Sequence, residues 1–427
     1  MKTITVRDID STVAYVRQRP KPTEKQKKIV SDILLDVQKN PQDNTLIKYE
    51  KKDGKLRVNL KSIRVTNSEI KNAYSKVTKD QIDAIKLAKK RLERTELTLK
   101  NKLEKITIQA DGIKIIKMFV PLESVGCYIP GGEARYPSTV VMSVIPAKVA
   151  GVKKIVAVSP PGKNGDIDPL TLVAADICGV DEFYKAGVAG IAALAYGSKS
   201  VPKVDKIVGP GGLFITIAKS LVSETVSIDM VAGPTELAII ADSSADPNIV
   251  AYDLISQAEH GPASMCCLIT TSTRLKNMVL NSLRKQISKI QRQGFVKASL
   301  KNNGFIAICK NESDVIEFAN KFAPEHLEII TKNSQQIAQK ITSAGLVLIG
   351  KDTPSSASDY LLGSNHILPT NGFARARGSL GVLDFMKIQS QVETSKAELK
   401  KISKYMKAIT TAEGLPNHYE AVRTRLK

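Results

Sequence analysis

The sequence predicts an α/β protein with two Rossmann-like parallel-sheet domains, a helical N-terminal segment and a small C-terminal helical tail. Two observations support this prediction. From residue 106 onward, short and nearly continuous apolar runs alternate with helical stretches, which is typical of parallel strands covered on both faces. Residues 1–105 and 381–427 instead carry helical, charged patterns. The most regular apolar runs are residues 154–159, 237–241, 305–309 and 346–349.

The N-terminal segment carries two helix start signals. Thr23 and Gln26 have the spacing of a capping box directly after Pro22, and Thr78 and Gln81 repeat that spacing further on. Apolar residues follow each box at helical intervals. We therefore predict helices that begin after Thr23 and after Thr78.

The length of 427 residues, with 42% apolar residues, suffices for two to three domains of roughly 150 residues each. Changes in sequence pattern divide the chain into four segments. We predict an N-terminal arm (1–25), a first Rossmann-like domain (26–125 together with 236–380), a second Rossmann-like domain inserted into it (126–235) and a C-terminal tail (381–427).

The chain is strongly basic, with a formal net charge of +21. A basic surface is one mark of a nucleic-acid partner, because lysine and arginine neutralise phosphate. Here the lysines alternate with acids and apolar residues at helical spacing, tryptophan is absent and only 5% of residues are aromatic. Stacking platforms for bases are therefore scarce. We predict a solvated basic face and no nucleic-acid partner.

Cysteine usage and hydropathy predict a cytoplasmic location. The five cysteines form no C-x-x-C pair and no regular framework, which argues against a disulfide scaffold. The N-terminus has no apolar signal core, and no apolar run approaches the ~20 residues that span a bilayer. We predict no membrane association. Cys266 and Cys267 lie in an apolar run, which indicates buried thiols rather than nucleophiles.

Two glycine turns follow predicted strands, at residues 128–132 and 209–212. Adjacent glycines let the backbone approach a phosphate closely at a helix N-terminus. Neither turn has the full G-x-G-x-x-G spacing, and paired glycines also mark ordinary turns. Both turns are positioned to line a ligand crevice at the carboxyl ends of parallel strands.

All four histidines lie at or after residue 260: His260, His326, His366 and His418. Histidine is the side chain whose ordinary pKa suits proton transfer and metal binding near neutral pH. Asp246 and Pro247 predict the start of a helix that runs to about His260. Gln257 and His260 would then share one helix face, a spacing that suits two ligands of one metal ion. An isolated Q-x-x-H pattern is more often an ordinary helix end.

Glu325 and His326 follow Pro324, which favours an extended or turn conformation that exposes both side chains. A carboxylate next to an imidazole supplies a proton acceptor and a second group that orients or activates water. Asp359 has two interpretations, a solvated loop acid or an oxygen ligand for zinc. His418 lies in a tail where a histidine is normally mobile.

Taken in order, these residues make the chain resemble the histidinol dehydrogenase family. The resemblance spans nearly the whole chain. It rests on five sequence segments whose combination is specific to the family: residues 125–132, 228–236, 257–261, 322–328 and 363–366.

The resemblance implies a role for each candidate residue. Glu325 and His326 are the catalytic pair, with His326 as general base, Glu325 activating water and His366 in a supporting role near the substrate. Tyr128 contacts NAD. One zinc ion per subunit is bound by Gln257, His260, Asp359 and His418. The substrate contacts are Thr235, Gln257, His260, His326, Asp359, Glu413 and His418.

The resemblance further implies the reaction: a zinc-dependent, NAD-linked four-electron oxidation of L-histidinol to L-histidine through L-histidinaldehyde, which ends histidine biosynthesis and consumes two NAD. The zinc and catalytic residues belong to the first predicted domain and NAD to the second. The family is a homodimer, which implies that the tail residues Glu413 and His418 are donated to the partner subunit's site.

The sequence departs from the family pattern where NAD is contacted. Relatives commonly carry a glutamine in the stretch that contains Ala189 and an asparagine at the position of Gly212. Of three expected cofactor side chains only Tyr128 is retained. We therefore predict activity with NAD at an elevated KM.

Two other functions remain open from the residues alone. A metal site beside Glu325 and His326 also suits a zinc hydrolase, because the same groups activate water on an amide or ester. The positive charge leaves a nucleic-acid-associated protein as the non-enzymatic alternative.

Overall fold

The structure is a computed structural model that describes residues 1–19, 21–52, 62–103, 105–131, 135–162 and 164–427. Gly132, part of the first predicted glycine turn, lies outside the described residues. The strands are β1 (Lys2–Thr5), β2 (Ile106–Ala110), β3 (Ile113–Pro121), β4 (Ser124–Tyr128), β5 (Lys154–Ser159), β6 (Glu182–Lys185), β7 (Lys206–Val208), β8 (Ser227–Ile228), β9 (Glu236–Ala241), β10 (Met265–Thr270), β11 (Phe305–Ile308), β12 (His326–Ile330), β13 (Leu346–Ile349) and β14 (Met386–Thr394).

The helices alternate with these strands. They are α1 (Ile9–Val16), α2 (Glu24–Lys39), α3 (Asp43–Lys52), α4 (Asn67–Tyr74), α5 (Lys79–Lys100), α6 (Pro137–Ala150), α7 (Pro169–Cys178), α8 (Val188–Tyr196), α9 (Leu213–Val222), α10 (Pro247–Ala258), α11 (Thr273–Ile287), α12 (Gln293–Asn302), α13 (Glu312–Phe322), α14 (Ser334–Ala338), α15 (Ser355–Ser358), α16 (Lys396–Ala412) and α17 (Pro416–Leu426). No helix in the described part of the chain combines the length and apolar character needed to cross a membrane.

Two parallel sheets form the centre of the molecule and confirm the predicted α/β class. One has the strand order β1-β11-β10-β9-β12-β13 and the other β6-β5-β4-β7-β8. Successive residues of a strand pack into different cores: Leu237 and Ile239 of β9 face one cluster, and Ala238 and Ile240 face another. Each residue of β9 is therefore buried, which explains the continuous apolar runs that predicted these strands.

The predicted helix starts are confirmed. The side chains of Thr23 and Thr78 each accept a hydrogen bond from the backbone N three residues on. The side chains of Gln26 and Gln81 accept a hydrogen bond from the backbone N of Thr23 and Thr78 in turn. The five cysteines are free thiols, and all are buried, including Cys266 and Cys267.

The N-terminal region packs differently from the predicted domain grouping. β1, which we assigned to an arm, pairs in parallel with β11 of the six-stranded sheet. Helices α2 and α5 pack against α6, α7, α8 and α9 of the five-stranded sheet, not against the six-stranded sheet with which residues 26–125 were grouped. An amphipathic face indicates that a helix is packed, but not on which sheet. The domain boundaries themselves stay a prediction.

The tail is helical over α16 and α17, as predicted, but residues 386–394 were wrongly included in its helical part. They form β14, which pairs antiparallel with β3, and β3 in turn pairs with β2. Ile388, Ser390 and Val392 alternate with polar neighbours at the spacing of a strand. The partner strand lies more than 250 residues away in sequence, so the pairing was not visible locally.

Candidate active site

A cavity of about 380 Å³ lies between the two parallel sheets. On one side it is lined by Pro130 and the turn from Gly209, which follow β4 and β7. On the other side Thr235, Ser264 and Glu325 precede β9, β10 and β12. The second glycine turn, with Pro130 of the first, therefore lines the cavity from the carboxyl ends of strands. The candidate catalytic pair enters it from the amino ends of the other sheet.

The loop between α13 and β12 delivers Glu325 and His326 to the cavity. It begins at Ala323, a non-glycine residue with φ 49°, and continues through Pro324 into the first residue of β12. Both candidate side chains are buried and line the cavity. The two conformationally restricted residues before them fix the direction in which the pair enters the site.

Hydrogen bonds hold the Glu325 carboxylate in one orientation. Its Oε2 accepts from Thr235 Oγ1 at 2.5 Å and from the backbone N of Glu236 at 2.6 Å. The Gln257 amide donates in turn to Thr235 Oγ1, at 2.5 Å. Thr235, predicted as a substrate contact, thus links a predicted metal ligand to a predicted catalytic residue.

His326 lies between a backbone carbonyl and two carboxylates. Its Nδ1 is 3.2 Å from the carbonyl oxygen of Glu236 and 3.7 Å from Glu325 Oε2. Its Nε2 is 3.3 Å from Asp359 Oδ1, within ion-pair distance. These last two atoms are not aligned for a hydrogen bond, and each is buried without another partner among the described residues.

The electrostatics of this group favour a charged imidazole. Burial by itself lowers the pKa of His326, but the charges of Glu325 and Asp359 outweigh it and raise the pKa well above the ordinary value. Burial by itself raises the pKa of Asp359, but the neighbouring His326 outweighs burial and lowers it. Burial lowers the pKa of His366, with Asp359 opposing. The two carboxylates therefore stabilise the imidazolium that His326 forms when it takes up a proton in this cavity.

Three of the four predicted metal ligands lie at or beside this cavity. Asp359 and His260 line it, and Gln257 is buried next to it through its bond to Thr235. His260 was expected on the helix face of Gln257, but α10 ends at Ala258, and His260 lies in the following turn. Pro262 lies two residues after His260, and a proline disfavours helical conformation in the residue before it, here Gly261.

The tail residues lie elsewhere in this chain. Glu413 caps the end of α16 and His418 lies in the first turn of α17, and both are exposed. Neither lines the cavity. Correspondingly, no group of three histidine, cysteine or acidic residues with metal-site geometry is found among the described residues.

His366 lies at the cavity wall, and its supporting role near the substrate stays a prediction. Its Nδ1 is 2.7 Å from the backbone oxygen of Asp359 and its Nε2 is 3.5 Å from Thr139 Oγ1. Thr139 and Tyr136 of the segment before and within α6 also line the cavity. Neither was identified from the sequence, because no local pattern distinguishes them.

The predicted cofactor contacts lie around the five-stranded sheet. The Tyr128 side chain is only 4% exposed, within a core cluster, and burial raises its pKa. Ala189 is fully buried in α8. Gly212 is exposed before α9, with open space where a Cβ would project. The NAD contact of Tyr128 stays a prediction.

A buried ion pair fixes the second glycine turn. Lys219 and Asp229, both almost fully buried, pair with each other. Asp229 Oδ2 accepts from the Gly209 amide at 2.8 Å, and Lys219 Nζ donates to the Gly209 carbonyl at 2.7 Å. Gly209 has φ 116° and abuts the Tyr128 carbonyl, which leaves no room for a side chain. The turn is therefore preorganised.

Behind the cavity, a pair of buried acids joins three site elements. Asp253 lies on α10, and Glu328 lies on β12 two residues after His326. Their carboxyl groups interact electrostatically, and Glu328 Oε1 accepts from the backbone N of Ser355 at 2.6 Å, at the start of α15. Burial, together with the charge of Asp253, raises the pKa of Glu328 to about 8, and burial raises the pKa of Asp253 to about 6.

These shifts predict that Asp253→Asn stabilises the protein at high pH. A carboxyl whose pKa is higher in the folded than in the unfolded state favours folding when protonated, so its stabilisation is lost as pH rises from about 4 to about 8. We expect urea unfolding at pH 9 to give a free energy about 2 kcal/mol above wild type, with a smaller gain at pH 5. Asp352→Asn, at an exposed position, is the control. A gain that is equal at both pH values would contradict the raised pKa values of the two acids.

Comparison with known proteins identifies the family. The model of the histidinol dehydrogenase family matches residues 16–426. Histidinol dehydrogenase of Methanocaldococcus jannaschii is 42% identical over 93% of this chain and 92% of its own, and that of Geobacter sulfurreducens is 40% identical over the full length of both. The crystal structure of histidinol dehydrogenase from Elizabethkingia anophelis superposes with a TM-score of 0.93 at 36% identity, covering 100% of this chain and 98% of that one.

The chain belongs to the histidinol dehydrogenase family. This confirms the resemblance inferred from the sequence words and the predicted enzyme class, an oxidoreductase. The likeness covers the whole fold, including α16 and α17 in the tail. The histidinol dehydrogenase fold therefore accounts for both sheets and for the cavity between them.

Proposed function

We propose that the protein oxidises L-histidinol to L-histidine with NAD in a zinc-dependent reaction, as the last step of histidine biosynthesis. The observation that carries this proposal is the buried Glu325 and His326 pair, which faces Asp359 in a cavity of a chain from this family. Five free thiols suit a reducing cytoplasm, where we place the reaction.

The residues of the cavity fit a zinc site to which this chain contributes three ligands. The Asp359 Oδ1 atom is buried without a hydrogen-bond partner among the described residues, His260 lines the same cavity, and Gln257 is adjacent. We propose His418 as the fourth ligand. Oxygen and nitrogen donors suit zinc, which when bound would hold the substrate in place.

In the first oxidation, His326 accepts the hydroxyl proton of histidinol while hydride leaves the carbinol carbon for NAD. Two electrons depart with the hydride, and histidinaldehyde results. Glu325 then activates a water molecule that adds to the aldehyde carbon. His326 releases its first proton to solvent and then accepts a hydroxyl proton of the hydrate as a second hydride leaves for a second NAD. This yields the carboxylic acid of histidine, which loses its proton to solvent. Thr235 keeps Glu325 oriented for this step.

We propose a homodimer in which the tail completes the partner subunit's site. The antiparallel sheet exposes Ile108 on β2 and Val392 on β14, which flank Ile115 on the same face. On α16, Tyr405 and Ile409 are also exposed. Apolar surface of this kind favours association. A second copy that covers this surface would place its own Glu413 and His418 at the first chain's cavity. The first chain's own Glu413 and His418 do not line that cavity.

Binding of NAD is expected to improve when the missing asparagine is restored. Gly212→Asn introduces a side chain at an exposed position with φ −66° and open space, beside the preorganised turn. One added hydrogen bond contributes about 1 kcal/mol, so the KM for NAD should fall about fivefold with kcat nearly unchanged. Steady-state kinetics with varied NAD measure this. Gly294→Asn, also open but remote on α12, is the control. An unchanged KM for NAD would exclude Gly212 from the cofactor site.

The proposed function is tested with purified protein, L-histidinol and NAD. We expect absorbance at 340 nm to rise with two NADH formed per histidine, and a zinc content of one per subunit. Chelation should abolish turnover and added zinc should restore it. A protein that binds zinc and histidinol but reduces neither NAD nor NADP refutes the proposal, and ester or amide cleavage without NADH favours the hydrolase alternative.

A further inference from the structure

We infer that Arg17 is a positioning residue for Glu325 and His326. It acts through a buried arginine-carboxylate cluster formed by Arg17, Arg19 and Glu236, here called the arginine clamp. This inference rests on the proposed function for its kinetic readout, but its geometry is independent of it. Arg17 and Arg19 lie at the end of α1 and just beyond it, more than 200 residues before Glu236.

The first half of the clamp holds the loop that precedes the catalytic pair. The Arg17 guanidinium donates from Nε to the Phe322 carbonyl at 2.9 Å and from Nη2 to the Ala323 carbonyl at 2.9 Å. It also lies 3.8 Å from the centre of the Phe322 ring. These carbonyls end α13, where a cation is favoured. Ala323 is the residue with positive φ two positions before Glu325. Arg17 therefore stabilises the strained turn that directs Glu325 and His326 into the cavity.

The second half of the clamp holds Glu236, whose backbone touches both members of the pair. Arg17 Nη1 lies 2.6 Å and Arg19 Nη2 3.2 Å from Glu236 Oε1, and the Glu236 side chain is fully buried. The backbone N of Glu236 donates to Glu325, and its carbonyl contacts His326 Nδ1. A shift of Glu236 would therefore move both contacts at once.

The clamp also reaches Ala263 on the cavity wall and Asn371, the residue after Thr370 of that wall. Arg19 Nη1 contacts the carbonyl of Ala263, in the turn after His260, at 3.3 Å. The backbone N of Asn371 donates to Glu236 Oε1 at 3.0 Å. Burial lowers the pKa of Arg19, and the charge of Glu236 opposes this. Glu236 Oε1 is the shared partner of Arg17, Arg19 and the backbone N of Asn371. Loss of one partner would therefore shift groups on several sides of the site.

We expect Arg17→Met to lower kcat about 30-fold, with the KM for histidinol changed less than threefold and zinc content unchanged. Misplacement of catalytic groups by a fraction of an ångström costs this much in rate without weakening ground-state binding. Arg17→Lys should restore part of the rate, because the ammonium keeps the charge but cannot form all the guanidinium bonds. Asp10→Asn is the matched control: it breaks an exposed ion pair to Lys321 that also joins α1 to α13, away from the site.

A second readout needs no turnover. With only four histidines, selective isotope labelling of histidine gives an imidazole spectrum in which the His326 signal is assigned by its loss in His326→Gln. In substrate-free protein we expect Arg17→Met, but not Asp10→Asn, to shift or broaden that signal. If Arg17→Met does not fold, Arg17→Lys, which keeps a cation beside Glu236, is measured by the same two readouts.

The outcomes separate the two proposals. Wild-type protein that does not oxidise histidinol overturns the proposed function, while the histidine spectrum still tests the clamp. Active wild type together with an Arg17→Met variant of unchanged kcat and unchanged His326 signal overturns the positioning role. If Arg17→Met and Asp10→Asn lower kcat equally, Arg17 only links α1 to α13. That result also overturns its positioning role.

Discussion

Replacing His326 with glutamine is expected to lower kcat for histidinol oxidation about 10³-fold, because it removes the proton acceptor of both oxidations. The same variant should fail on histidinaldehyde supplied directly. Zinc content should be retained, since His326 is not among the proposed ligands. Turnover is measured as NADH formation from each substrate at saturating NAD.

Glu325→Gln separates the two half-reactions. The first oxidation uses only His326, so NADH formation from histidinol should continue, with loss of the hydrogen-bonded partner slowing it several-fold. The second oxidation needs activated water and should fall about 10²-fold, so that histidinaldehyde is trapped or released. Glu312→Gln, at an exposed position on α13, is the control. If His326→Gln turns over within tenfold of wild type, or if Glu325→Gln slows both steps equally, these roles are wrong.

Mixing two inactive variants is expected to recover activity if the tail is shared. His260→Asn and His418→Asn should each be inactive as homodimers. After subunit exchange at equal concentration, half of the dimers are hybrids, and each hybrid has one site with both histidines intact. Activity should therefore return to about a quarter of the wild-type value. The expectation follows from the distance between the two residues in this chain: His260 lines the cavity, and His418 is exposed on α17.

A matched mixture tests this interpretation. His260 and Asp359 line the same cavity within one chain. Mixed His260→Asn and Asp359→Asn subunits leave a defect in every site, so they should recover no activity. Recovery in both mixtures would indicate simple restoration of folding. Recovery in neither mixture, with subunit exchange verified by a mass-tagged chain, would mean that His418 serves its own subunit or none.

Much of the fold was predictable because its signals are local. The apolar runs of β5, β9 and β13 and the capping boxes at Thr23 and Thr78 each depend on residues close in sequence. β14 was missed because its partner β3 is remote in sequence, and a surface strand with half its residues polar resembles a charged helix in composition. The packing of α2 and α5 on the five-stranded sheet was missed because an amphipathic face does not identify the sheet against which a helix packs.

The site divides in the same way. Glu325, His326 and Gln257 were identified from short words, and the structure brings them together through Thr235. The groups that hold them were not identified. Glu236 contributes through its backbone and through a buried side chain, and its partners Arg17 and Arg19 come from the opposite end of the chain. Only folding juxtaposes them.

The sequence by itself determined the α/β class, the helix starts, the family and the residue types available for catalysis, because each of these depends on local pattern or on words of adjacent residues. The tertiary structure alone decided which strands pair, that the cavity lies between the carboxyl ends of one sheet and the amino ends of the other, and that Asp359 faces His326. It also decided the electrostatic state of the site. The charges of Glu325 and Asp359 raise the pKa of His326 against the lowering effect of burial, and only the packed chain brings these three groups together.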